Sequence, residues 1–139
     1  MIVRIEYLPS PLAPDKEIAV AFLGIKKACC DKTKESMLFS AAKEGFGLEQ
    51  DIRTIKKIEI VEAMKMMAVC IEYYPDKFDL DEYVVKTIRD IQSIEIARLG
   101  EDWEIVIHKD TGVTFRYAMH RTKKLTVFDD EVGIRKWHS

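Results

Sequence analysis

Four polar side chains in the C-terminal third of the chain are the residues best suited to acid–base chemistry. They are His120, Asp102, Glu104 and Arg116. In the strand register predicted below, His120 lies opposite Asp102 and diagonal to Glu104, and Arg116 is diagonal to Glu104 on its other side. Long side chains bridge the about 7–8 Å of such a diagonal. A histidine between two carboxylates can exchange a proton near neutral pH, and an arginine can bind an anion.

This register depends on the turn Asp110-Thr111-Gly112 between two alternating segments, 103–108 and 113–120. A two-residue loop would pair Ile107 with Thr114 and mix apolar and polar faces. A three-residue loop with a left-handed Gly112 keeps the apolar side chains on one face. It pairs Ile107 with Phe115, Ile105 with Tyr117 and Trp103 with Met119, and we predict this loop.

The same four side chains also fit a purely structural interpretation. An exposed strand face shows charged alternation whether or not it has a function, so we favour a solvated face with cross-strand ion pairs. His108 is a further candidate for ligand binding, but its strand position lies roughly 20 Å from that of His120, at about 3.3 Å per residue. The two histidines cannot share an ion, and we expect no metal and no cofactor. Gly45-Phe46-Gly47 lacks the third glycine of a dinucleotide loop.

Two adjacent tyrosines form a second candidate site. Tyr73 and Tyr74 end an apolar segment, 66–74, and Phe78 follows. Aromatic rings on an open sheet can stack on nucleobases, usually with a basic surround. The net charge of −2, from 22 Lys and Arg against 24 Asp and Glu, disfavours a nucleic-acid partner. Single-stranded nucleic acid, held by these tyrosines, Arg116 and the lysine pairs, is therefore only a minor alternative.

Length and composition describe an ordinary globular chain. The 139 residues, 47% of them hydrophobic, predict one domain over 1–139 with a packed core. The longest uncharged runs are far shorter than the about 20 residues of a membrane helix, and the first residues do not form a secretory signal. Three cysteines, two of them adjacent at Cys29 and Cys30, do not make a disulfide framework. We expect a cytoplasmic protein with reduced thiols.

Hydrophobic periodicity predicts a mixed set of elements. Alternation predicts a strand at 2–7 and others at 58–61 and 66–74, the last central because both of its faces are apolar. Spacings of three and four predict a helix from Asp15 with Cys29 on its buried stripe, and a second helix from Thr33 to the glycines at 45 and 47. A long third helix is predicted to start at a capping box, Asp79 to Glu82, with its stripe at Leu80, Tyr83, Val84, Ile88, Ile91 and Ile94.

The predicted order is β-α-α-β-β-α-β-β-β, an α+β fold. Its first part, β-α-(α)-β-β-α-β, is a ferredoxin-like arrangement. A C-terminal β-meander, ending in an edge strand at 125–128, extends it to a six-stranded antiparallel sheet with helices on one face. The other face is then partly open.

The preferred functional hypothesis is a small binding or assembly domain without catalysis. It would be a homodimer, pairing through the open sheet face or the edge strand Leu125 to Phe128, or it would bind another protein. The alternative is a small hydrolase or isomerase with His120 and Asp102 or Glu104 as the acid–base pair and Arg116 as the anion clamp. The single-strand binder, on the open sheet face, is the second alternative.

Overall fold

The chain folds as a nearly all-β protein. The computed structural model describes residues 1–9, 12, 18–31, 36–41, 47–62, 66–75, 81–100 and 102–129, and for 36–41, 47 and 48 it describes the backbone alone. The strands are β1 Ile2–Tyr7, β2 Ile18–Phe22, β3 Ile25–Asp31, β4 Ser36–Ala41, β5 Gly47–Asp51, β6 Ile55–Val61, β7 Met67–Tyr73, β8 Val84–Leu99, β9 Asp102–Lys109, β10 Thr114–Ala118 and β11 Thr122–Asp129. Short 3₁₀ turns at Ile52–Thr54 and Met119–Arg121 connect β5 to β6 and β10 to β11.

One long strand, β8, organises the sheet. Ile91 of β8 pairs with Met67 of β7 and with Lys109 of β9, so β7 and β9 lie on opposite edges. Residues 93–97 pair with both β6 and β9, so β6 also lies opposite β9. Strands β6 and β7 therefore follow one another along the same edge of β8. From that edge extend a first arm, β6-β1-β2, and a second arm, β7-β11-β3-β4-β5, and every pairing is antiparallel.

A bulge separates the two parts of β8. Between its pairs with Val69 and Met67, β8 advances from Ile88 to Ile91 while β7 moves two residues. The extra residue lets Asp90 adopt a left-handed backbone, with φ of 59°, and its carbonyl accepts a hydrogen bond from the Asp110 amide at 3.1 Å. A bulge bends its strand and increases the local twist, so β8 changes direction at this point, between its pairing with β7 and its pairing with β6.

Both arms bury side chains in one shared core. The first arm contributes Val3, Ile5, Ile58 and Ile60, and the second contributes residues of β3, β7 and β11 to the same cluster. The sheet is therefore curled into a half-barrel, and its concave face is packed with isoleucine, valine and methionine. Complete burial of such side chains stabilises the fold by about 1.5–3 kcal/mol each. The amino group of Met1 donates to the carbonyl of Ile25 at 2.8 Å, linking the start of β1 to the start of β3.

The predicted α+β, ferredoxin-like fold is wrong, and the long third helix shows why. Its segment forms β8, and Asp79 and Leu80 lie outside the described residues. The buried side chains Ile88, Ile91 and Ile94 are three residues apart because β8 has an extra residue in each interval, one opposite β7 and one opposite β9. Two bulges thus turn the period of two into a spacing of three, which imitates a helical stripe. The described residues contain no α-helix.

The other two predicted helices are also strands. The described part of the segment predicted as the first helix, from Ile18 onward, forms β2 and β3, joined at Leu23 and Gly24. A bulge between Ile25 and Lys27 again spaces two buried residues by three. Cys30 is the buried cysteine, at 3% exposure, and Cys29 is only half-buried. The segment from Thr33 forms β4 and β5 within its described part. Because no helix layer covers the described sheet, its two faces are instead a packed concave face and a convex one.

The predicted meander holds for β9 and β10 but not for β11. Strand β11 pairs with β7 on one edge and with β3 on the other. The segment 125–128 is therefore central, with Leu125 and Val127 fully buried, and the prediction of an edge strand there is wrong. The predicted strand at 2–7 and the central position of 66–74 are confirmed. Among the described residues there is no helix long and apolar enough to cross a membrane.

Substitution of Asp90 tests the bulge. We expect Asp90→Gly to be neutral or to raise the free energy of unfolding by up to about 1 kcal/mol, since glycine adopts positive φ without cost. We expect Asp90→Val to lower it by about 1–2 kcal/mol, because a β-branched side chain resists the left-handed region. Urea unfolding measures both changes. Thr87→Val, on an exposed and extended position of the same strand, is the control, and equal stability of the two valine variants would contradict the argument.

Candidate functional site

The hairpin of β9 and β10 positions the four predicted side chains. Phe115 pairs with Ile107 and Tyr117 with Ile105, which confirms that part of the predicted register. Gly112 has a φ of 89°, the left-handed conformation that the three-residue loop needs. The predicted pairing of Trp103 with Met119 is not part of the ladder, because β10 ends at Ala118 and Met119 begins a 3₁₀ turn.

His120 and Asp102 meet at the far end of the hairpin. Nδ1 of His120 lies 2.5 Å from Oδ2 of Asp102, and the two side chains are 60% and 40% exposed. Partial burial raises the pKa of Asp102, but the hydrogen bond with His120 and the backbone amide of Trp103 together lower it below its ordinary value. The carboxylate thus orients the imidazole, as in acid–base sites, although both groups are open to water. Catalysis by this pair stays a prediction.

Arg116 and Glu104 form the second pair on the hairpin. Nη1 of Arg116 donates to Oε1 of Glu104 at 2.5 Å, and Arg116 is 64% exposed. The structure therefore brings the four residues together as two separate ion pairs. His108, the other candidate, lies 3.3 Å from Oγ1 of Thr114 through its Nδ1. Exposed ion pairs of this kind contribute about 0.2–1 kcal/mol to stability.

A first cavity, which we call the outer-face cavity, lies on the convex side of β8, β9 and β10. It has a volume of about 240 Å³ and includes Glu95, Arg98, Glu104, His108 and Arg116 in its lining. Its two carboxylates already have cationic partners within the protein. Glu95 lies 3.3 Å from Nζ of Lys57, and Glu104 pairs with Arg116. Arg98 donates to the carbonyl of Ile55 at 2.8 Å. An anion in this cavity would face two carboxylates, and a cation would compete for them with Lys57 and Arg116.

A second cavity, which we call the tyrosine–arginine cavity, lies beside β10. It also has a volume of about 240 Å³ and is lined by Tyr73, Arg116, Tyr117, Ala118, Arg121 and Thr122. The rings of Tyr73 and Tyr117 lie 5.5 Å apart at 51°. Burial and the neighbouring Tyr73 raise the pKa of Tyr117, so its hydroxyl remains a hydrogen-bond donor at neutral pH. The structure thus places one tyrosine candidate, Tyr73, with Arg116. The backbone amide of Tyr74 donates to the Arg121 carbonyl at 2.8 Å instead.

The cysteines do not form a reactive pair. Burial, the adjacent Cys29 and the charge of Asp31 raise the pKa of Cys30 to about 12, so its thiol stays protonated and poorly nucleophilic. Within the described ranges, no three His, Cys, Asp or Glu side chains lie close enough to hold a metal ion.

Strand β2 presents a different kind of surface, a free edge. It pairs only with β1 among the described strands. Its sequence, Ile-Ala-Val-Ala-Phe, contains no charge and no proline. Ile18 is 45% exposed and Val20 is 38% exposed, although both share the face of the buried Ile5. Unpaired apolar edges of this kind can pair with another chain.

Three of these features were missed from the sequence. Tyr117 and Arg121 are not among the residues that the sequence predicts for a site, and 18–22 falls within the first predicted helix. The alternation of large and small residues over Ile18–Phe22 is a period of two that could have indicated a strand. No local signal could have placed Arg121 beside Tyr73, since they meet only through the pairing of β11 with β7.

Comparison with known proteins adds no relative. No protein-family model matches the chain, no curated protein matches it, and no solved structure matches it. The fold and surfaces therefore define only a class: a chain built on a curled antiparallel sheet, with an apolar strand, β2, that has one partner among the described strands.

The pH dependence of stability tests the pairing of His120 with Asp102. Because folding lowers the pKa of Asp102, the stabilisation is present above the unfolded value of about 3.9 and is lost as the pH falls through the folded one. We expect Asp102→Asn to reduce the free energy of unfolding at pH 6 by less than about 1 kcal/mol, and this difference to be smaller at pH 2, below the unfolded pKa. Urea unfolding at both values measures it, with Asp110→Asn in the exposed turn as the control. A deficit unchanged at pH 2 would contradict this prediction.

Proposed function

We propose that this protein is a non-catalytic assembly domain that forms a homodimer by pairing two β2 strands edge to edge. The observation that carries the proposal is the uncharged edge of β2, which pairs with no strand other than β1 among the described strands. The other described edges each contain charged residues. Strand β10 has Arg116, and β5 has Glu49 and Asp51. Charges on an edge discourage pairing with another chain, so β2 is the edge best suited to self-association.

The sequence of β2 is close to a palindrome about Val20. In an antiparallel pair centred there, Ile18 lies opposite Phe22 of the second copy and Ala19 opposite its Ala21, with the two Val20 side chains facing each other. On one face of the paired strands, bulky apolar side chains of the two copies then meet, and on the other face their alanines meet. A two-fold interface needs a surface that is complementary to itself, and this strand provides one.

The charges of β1 agree with this register. Arg4 pairs with Ala21 and Glu6 with Ala19 within one chain. Across the proposed interface, Arg4 falls in the same row as Glu6 of the second copy, separated by two alanines. Opposite charges are therefore aligned in each row, and like charges are not. At about 14 Å, and with Arg4 already paired with Glu6 of its own chain, these charges do not oppose the register, and the apolar side chains of β2 select it.

The interface is small, which sets the expected affinity. A strand of five residues supplies much less surface than the about 1,200 Å² of a stable standard interface. We expect a dimer that dissociates on dilution, with a Kd in the range of about 10–100 μM. We place this assembly in the cytoplasm, since the unpaired thiols of Cys29, Cys30 and Cys70 are typical of a reducing compartment.

A charge-exchange experiment at Val20 tests the dimer and its register. We expect Val20→Lys and Val20→Glu each to be monomeric, because the two-fold axis places like charges directly opposite one another. We expect an equimolar mixture of the two variants to recover dimer. Sedimentation velocity between 5 and 500 μM measures all three samples and the unmodified protein.

The control is Val113→Lys, which places the same charge on a 49% exposed valine in the β9–β10 turn and should leave dimerisation unchanged. Circular dichroism establishes that each variant is folded. A monomer at all concentrations of the unmodified protein would exclude the dimer. Dimerisation of the Val20→Lys variant in the absence of the Val20→Glu variant would exclude the β2 interface.

A further inference from the structure

The tyrosine–arginine cavity has the composition of an anion-binding site. Its lining has two guanidinium groups and two phenol rings, and none of its six residues is acidic. The hydroxyl of Thr122 already donates to the carbonyl of Ala118 at 2.9 Å. Without acidic residues, the cavity differs from the outer-face cavity, whose lining includes Glu95 and Glu104. An anion entering the second cavity therefore meets donors and positive charge without a lining carboxylate to repel it.

Its two arginines are held in position before any ligand arrives. Nε of Arg121 donates to the carbonyl of Tyr74 at 3.2 Å, and its Nη2 donates to the carbonyl of Pro75. Arg116 is fixed by Glu104 through Nη1. A guanidinium has five N–H donors, so each arginine keeps further donors for a ligand. Because the protein has already ordered these side chains, binding loses less conformational entropy.

The tyrosines add a preference for a flat ring. Tyr73 and Tyr117 form a tilted pair, and in the described part of the chain neither hydroxyl has a hydrogen-bond partner. Their ring faces suit an aromatic group, and their hydroxyls can donate to an anion. The volume of about 240 Å³ is below the about 300–1,000 Å³ of pockets for drug-sized ligands. This size fits one ring with one anionic group.

We propose that the tyrosine–arginine cavity binds a small aromatic anion, a single ring bearing a phosphate or carboxylate group. The ring packs against Tyr73 and Tyr117, and the anionic group accepts hydrogen bonds from Arg116 and Arg121. This site does not depend on the proposed dimer, because its residues lie on β7, β10, the following 3₁₀ turn and β11, and β2 contributes nothing to it.

Isothermal titration calorimetry with phenyl phosphate and with benzoate tests the site. The probe that binds with the higher affinity identifies the anionic group that the site prefers. We expect the binding of at least one of these probes to saturate at probe concentrations below 5 mM. We expect at least tenfold weaker binding of inorganic phosphate, which lacks the ring, and of phenol, which lacks the charge. Absence of saturation by both aromatic anions, or equal binding of inorganic phosphate, would overturn the proposal.

Two variants locate the binding. We expect Arg116→Gln and Tyr73→Leu each to weaken the tighter probe at least fivefold. Arg53→Gln removes a similarly paired guanidinium, whose Nη2 lies 2.8 Å from Oδ2 of Asp51, outside the cavity and outside β1 and β2. This variant should bind the probe as the unmodified protein does. Thermal unfolding establishes that each variant is folded. Unchanged affinity in the folded Arg116→Gln variant would overturn the assignment.

Discussion

The whole fold depends on β8 pairing with two different strands along one edge. The backbone has a fixed number of donors and acceptors on each edge, and a buried strand must satisfy all of them. Strands β6 and β7 share this edge in succession, and the bulge at Asp90 lies where the pairing with β7 ends. Because the bulge turns the strand, the two arms curl toward each other and bury one common core.

The same bulges explain why the sequence predicted a helix in this segment. Regular strands place buried residues two apart, and each bulge in β8 lengthens that interval to three. The intervals 88 to 91 and 91 to 94 then match a helical stripe. The residue types did point the other way, since Val84, Val85, Thr87 and four isoleucines are β-branched and favour strands. In a bulged strand, residue type is therefore a better guide to secondary structure than hydrophobic periodicity.

Local features could be predicted and distant pairings could not. The β9–β10 register follows from Gly112 and from the need to keep Ile107 and Phe115 on one face, so the contacts of His120 with Asp102 and of Arg116 with Glu104 were within reach of the sequence. The position of β11 was not, since its partners β7 and β3 lie far away along the chain. The tyrosine–arginine cavity depends on that pairing, because it joins residues of β7, β10 and β11. Charged pairs within one hairpin can therefore be predicted from residue types more readily than a cavity that joins β10 to β7 and β11.

The arrangement of strands keeps the two proposed surfaces apart. Strand β2 is the outer edge of the first arm, and β10 is the outer strand on the opposite edge of β8. Along the path β2-β1-β6-β8-β9-β10, five spacings of about 4.8 Å separate them, or roughly 24 Å. Pairing of two β2 strands therefore leaves the β10 edge, and the cavity beside it, open in each copy. A dimer of this form presents two equivalent cavities. Because no strand contributes to both surfaces, occupancy of one cavity has no direct contact through which to change the β2 pairing.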